Sequence, residues 1–109
     1  MLKKNSKIFI AGHNGLVGNA VKRKLLLKNY RNIITADKSK LNLLNKNKID
    51  LFFKKKKPTI LIICAAKVGG ILENKSYQLE FLLENLQIQT NLLSLAKKYK
   101  VKRTVFLGS

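Results

Sequence analysis

Gly12, Gly15 and Gly18 form a G-x-x-G-x-x-G turn directly behind the apolar stretch Ile8-Phe9-Ile10-Ala11. That pattern suits the binding of a phosphate chain. Gly12 lets the backbone turn sharply off a strand, where a β-carbon would clash. Gly15 removes the side chain that would hold a pyrophosphate away from the backbone, and Gly18 lets a following helix pack close to a sheet. Leu16 and Val17 open that helix. Its first N–H groups are unpaired within it and lie at the positive end of its dipole, a ready anion site.

Other residues could join this chemistry. Asp37 lies nineteen residues after Gly18. An acid there accepts hydrogen bonds from ribose hydroxyls and favours NAD, while a cation such as the adjacent Lys38 favours the 2′-phosphate of NADP. The two signals conflict, and either residue also fits ordinary loop charge. Ala65-Ala66-Lys67-Val68-Gly69-Gly70 closes a long apolar run. Its glycines allow close backbone approach to a ligand, and Lys67 either reaches a phosphate or stays in solvent. Ser109 ends the last apolar stretch, where a hydroxyl can hydrogen-bond a substrate carbonyl and stabilise developing alkoxide charge. His13 reads as a loop residue beside a ligand rather than a general base. Asn85 sits among apolar helix residues, so it needs a partner or a solvent-facing position.

Alternating elements must position these residues. A strand at 7–11 leads through the glycine turn into a helix at 16–28, with Leu16, Val17, Ala20, Val21 and Leu25 on one face. A strand at 32–36 follows, then a short strand or extended segment at 41–44. A short helix carrying Ile49, Leu51, Phe52 and Phe53 ends in four lysines and Pro58; cations suit a helix end, and proline stops it. The run 59–66 suits a parallel strand covered on both faces. Leu79, Leu82, Leu83, Leu86, Leu93 and Ala96 mark a long amphipathic helix over 77–99, and 101–107 is the last strand. The order predicts an α/β fold, a Rossmann-type doubly wound parallel sheet.

Composition bounds the rest. The 109 residues fit one small domain, and 46% are hydrophobic, enough for a core. No apolar run is long enough to span a bilayer, and the first residues lack a signal peptide's apolar stretch, so a cytoplasmic location is expected. Cys64 is the single cysteine, so neither an intrachain disulfide nor a cysteine metal cluster is expected. Lys and Arg number 23 against 5 Asp and Glu, a formal charge of +18. One reading is a nucleic-acid or acidic-membrane partner. The favoured reading is compositional drift toward residues with A/T-rich codons. Lysines are spread over almost every segment, arginine is scarce, and no basic-aromatic interleaving occurs. Neither nucleic acid nor membrane is therefore expected as a partner.

The segments IFIAGHNGLVG (8–18), LNLL (41–44), AAKVGGI (65–71) and FLGS (106–109) resemble the extended short-chain dehydrogenase/reductases, or NAD-dependent epimerase/dehydratase family. More narrowly, they resemble its GDP-L-fucose synthase branch. The resemblance implies NADPH-dependent 3,5-epimerisation and 4-keto reduction of GDP-4-keto-6-deoxy-D-mannose. It places Gly12, Asn14, Gly15, Leu16, Val17, Gly18, Asp37, Lys38, Ala65, Ala66 and Lys67 at the cofactor, and Ser109 at the reacting carbonyl. The family's counterpart of Asn14 is commonly an arginine, so Asn14 and Asp37 leave NAD beside NADP. The family's Tyr-x-x-x-Lys pair has no match: Tyr30, Tyr77 and Tyr99 lack a lysine four residues on. Residues 1–109 are thus expected to be the N-terminal, cofactor-binding part of such an enzyme, without its substrate domain and inactive alone. A homodimer is implied for the full-length family. The alternatives are a free-standing dinucleotide-binding module and a basic nucleic-acid-binding protein.

Overall fold

The apolar runs near residues 8 and 60 lie side by side at the centre of a parallel sheet. The computed structural model describes residues 3–12, 15–64 and 75–107. Along them run β1 (Ile8–Ala11), α1 (Leu16–Leu27), β2 (Ile33–Ile34), α2 (Lys46–Lys56), β3 (Ile60–Cys64), α3 (Lys75–Lys98) and β4 (Arg103–Leu107). The strands are ordered β2-β1-β3-β4, all parallel, with Ile8 opposite Ile60 and Ala11 opposite Ile63.

Both sheet faces are covered, which is why these strands are continuously apolar. Phe9, Ala11, Leu61 and Ile63 meet Ile49 and Phe53 of α2 and Leu92 and Leu95 of α3. Ile8, Ile10, Ile60 and Ile62 face the other way, toward Val21 and Leu25 of α1. Each large apolar side chain buried this way contributes about 1.5–3 kcal/mol. Helix α2 has local signals at both ends. The Asn45 side chain accepts from the Lys48 N–H at 3.2 Å, and Lys57 closes the helix in the left-handed region at φ 52°.

Three expectations need correction. Residues 41–44 form no strand. Leu41 buries itself in the core, and the Asn42 side chain accepts from the Leu44 N–H at 3.0 Å, holding the chain in a turn. A short polar side chain that bonds its own backbone competes with a sheet ladder. On α1, Gly18 is buried and Val17, Val21 and Leu25 are half-buried, but Leu16 and Ala20 are exposed. Leu16 and Ala20 each stand two positions from buried Gly18, a step that carries a residue to the opposite side of a helix.

On α3, Leu79, Leu82, Leu83, Leu86 and Leu93 are exposed; of the expected set only Ala96 is buried. The helix carries a second stripe, Phe81, Asn85, Ile88, Leu92, Leu95 and Tyr99, and that one faces inward. Both stripes have helical spacing, so periodicity cannot choose between them. Tertiary hydrogen bonds fix the choice. Buried Asn91 donates to the Leu43 carbonyl at 3.0 Å and accepts from Gln87 at 2.8 Å. The polar residue that needs a partner inside α3 is therefore Asn91.

A second tie joins α3 to α2. Lys98 Nζ lies 2.7 Å from Asp50 Oδ2, and the Tyr99 hydroxyl donates to Asp50 Oδ1. The Lys98 ammonium, then the Tyr99 hydroxyl, holds the Asp50 carboxyl below its usual range. A lowered folded-state pKa gives stability that is present above the unfolded value and lost as pH falls through the folded one. Asp50→Asn should therefore lower the Tm at pH 7, with the gap closing as pH drops below about 4. Thermal melts at both pH values check this, and a gap independent of pH would contradict it.

Candidate cofactor site

In the order β2-β1-β3-β4, the chain leaves β1 toward one side and later returns to its other side at β3. Open parallel sheets bind ligands at such a switch point, beyond the carboxyl ends of the strands. A cavity of about 580 Å³ opens there, within the roughly 300–1,000 Å³ usual for small-molecule and cofactor sites. One wall is the glycine turn, with Gly12, Gly15, Leu16, Val17 and Gly18; Lys38 also lines the space. The opposite walls come from the turn at 41–44, from Cys64 at the end of β3, and from Phe81, Asn85 and Ile88 of α3.

Gly12 and Gly15 are required for different reasons. Gly12 has φ +89°, and a β-carbon on it would stand 3.0 Å from the Cys64 carbonyl oxygen. The fold itself demands glycine there. Gly15 has φ −76° and ψ 169°, which any residue adopts, and among the described residues a β-carbon would meet only the Gly12 carbonyl at 3.5 Å. That is ordinary contact, so packing among the described residues does not require glycine at 15. Gly15 itself lines the cavity.

The helix end beside Gly15 is open to an anion. The Gly15 carbonyl accepts from the Asn19 N–H at 2.9 Å, so the amides of Leu16, Val17 and Gly18 precede the helical ladder. Among the described residues no side chain caps α1, and no acidic residue occupies its first turn. A pyrophosphate therefore fits this cradle. Asp37 is exposed, and its carbonyl accepts from the N–H groups of Lys40 and Leu41, both at 2.8 Å, in a turn that also contains Lys38. Burial pushes the Cys64 thiol pKa up.

The structure thus brings Gly12, Gly15, Leu16, Val17, Gly18 and Lys38 together around one cavity. Asn14, Ala65, Ala66, Lys67 and Ser109 lie outside the described residues, as do His13, Gly69 and Gly70. Sequence reasoning missed Phe81 and Ile88 as walls. Their spacing with Asn85 and Leu92 was the available signal, hidden by the more regular leucines of the outer stripe.

A profile of the NAD dependent epimerase/dehydratase family matches residues 8–109. The chain belongs to that family. It is 46% identical over all its 109 residues to a putative GDP-L-fucose synthase 2 of Arabidopsis thaliana, covering 33% of that protein. It superposes with TM-score 0.88 and 32% identity on a GDP-D-glycero-L-gluco-heptose synthase from Campylobacter jejuni, solved in the presence of NADPH. There it covers 97% of this chain and 31% of the other. A GDP-mannoheptose C4 reductase from the same organism, with NADP bound, gives TM-score 0.86 and 30% identity, covering 97% of this chain and 33% of that one. The chain spans about a third of the length of the curated relatives it matches.

The two glycines should respond differently to substitution. Gly12→Ala should lower stability by about 1–3 kcal/mol, the usual cost of a strained backbone region. Gly15→Ser adds a better helix cap and should leave stability within about 1 kcal/mol of the parent. Urea denaturation reads both, and a large loss at Gly15 would show that packing, not a ligand, requires glycine there.

Proposed function

We propose that residues 1–109 are the cofactor-binding part of a GDP-sugar epimerase-reductase, holding NADP(H) across the glycine turn. The observation that carries this is Gly15, a glycine that packing among the described residues does not require, beside amides that no described side chain caps at the switch point. Bound there, the dinucleotide supplies a hydride for a ketone. The amides of Leu16, Val17 and Gly18 bind the pyrophosphate. Lys38 faces the 2′-phosphate, and Asn14, Asp37, Ala65, Ala66 and Lys67 complete the cofactor contacts. Ser109 hydrogen-bonds the 4-keto oxygen of the sugar. The substrate in this reading is GDP-4-keto-6-deoxy-D-mannose, by analogy with the fucose synthases, and the compartment is the cytoplasm.

Within the 109 residues no tyrosine is followed four positions on by a lysine. Hydride transfer would leave an alkoxide without that proton donor, and general acid help is worth about 10²–10⁴-fold. The chain alone should bind NADPH and not oxidise it when given the 4-keto GDP-sugar. Lys38→Glu should weaken NADP(H) by about tenfold or more, the worth of one charge-assisted phosphate contact, and leave NAD(H) little changed. Calorimetric titration with both cofactors reads this. An unchanged NADP(H)-to-NAD(H) ratio would remove Lys38 from the site, and ordinary turnover would overturn the reading of an incomplete enzyme.

A further inference from the structure

The helices of this fold end, and its strands begin, on the side away from the glycine turn, and cations gather there. Arg31 precedes β2, residues 54–57 are four lysines at the end of α2, and Lys97 and Lys100 close α3. The acidic residues Asp37, Glu80 and Glu84 lie elsewhere, and Asp50 is already paired with Lys98. Helix ends explain part of this pattern: Lys4 Nζ donates to the Lys28 carbonyl behind α1 at 2.8 Å. Three helix C-termini, however, offer only about −1.5 elementary charges in all, far less than the positive charge collected around them.

Three further cations line a recess among the strand starts. Lys3, Lys102 and Arg103 line a cavity of about 400 Å³ with Ser6 and Thr59. Backbone bonds fix its base. The Thr59 N–H donates to the Lys7 carbonyl at 2.9 Å, and the Lys102 N–H to the Thr59 carbonyl at 2.9 Å. Ser6 Oγ accepts from the Lys3 N–H at 3.2 Å and keeps its own proton to donate. Among the described residues, the side chains of Lys3, Lys102 and Arg103 have no acidic partner.

We propose that this recess binds a small anion carrying two or three linked phosphate groups, independently of the cofactor site. Arg103 offers a planar fork that matches phosphate oxygens, while Lys3 and Lys102 act as point charges on either side. A concave site suits a discrete ligand better than a flat bilayer. Among the described residues no aromatic side chain lines it, so they offer no stacking platform of the kind single-stranded nucleic acid uses.

The test is calorimetric titration of the 109-residue chain with inorganic tripolyphosphate. Two charge-matched triple variants are compared, both at exposed positions. The combination Lys3→Gln, Lys102→Gln and Arg103→Gln should weaken binding by about tenfold or more. The combination Lys40→Gln, Lys46→Gln and Lys48→Gln removes equal charge near the other end of the sheet. It should weaken binding by less than about threefold, as expected for general screening of net charge. Equal losses in both, a larger loss in the second, or no binding by the parent chain overturns the proposal.

Discussion

The turn off β1 passes so close to β3 that residue 12 has no room for a β-carbon beside the Cys64 carbonyl. This contact sets the geometry of the site end of the molecule. It lets β1 and β3 pair in register to their last residues while the chain bends away between them. The bend delivers Gly15 and the first turn of α1 to the mouth of the crevice. With a side chain at position 12 the Cys64 carbonyl would have to give way, and the residue would hold a positive φ that side chains disfavour.

Much of the fold was legible because local and global preferences agree at the central strands and at α2. The runs at 8–11 and 60–64 are apolar at every position, which only a sheet covered on both faces accommodates. The four lysines and Pro58 mark the end of α2 without any tertiary information. The glycine turn was equally plain, since a strand, three spaced glycines and a helix follow one another without a gap.

Residues 41–44 and the orientation of α3 were not legible, and one bond explains both. Asn91 reaches the Leu43 carbonyl across 48 positions of sequence. It pins the turn against the inner stripe of α3 and leaves the leucine-rich stripe outside. A stretch such as Leu41-Asn42-Leu43-Leu44 reads as extended when its neighbours are unknown, and an α3 with two apolar stripes has two plausible inward faces. The walls of the cavity opposite the glycine turn depend on this contact. The part of the site that binds phosphate could therefore be read from sequence, while the part that shapes the remaining space could not.

The two cavities differ in charge along the same axis. The cavity at the site end is lined by backbone amides, one lysine and mostly apolar walls, whereas the recess at the opposite end is lined by two lysines and an arginine. A parallel sheet with helical crossovers makes that division possible, because every helix ends on the same side. The central claim concerns the first end: the amides beside Gly15 hold the phosphates of a dinucleotide. Amide chemical shifts of ¹⁵N-labelled chain titrated with NADPH test it most directly. The account predicts the largest changes at Gly15, Leu16, Val17 and Gly18, and loss of saturable binding in a folded Gly15→Val variant. Binding that persists in that variant, or shifts that avoid this turn, would contradict it.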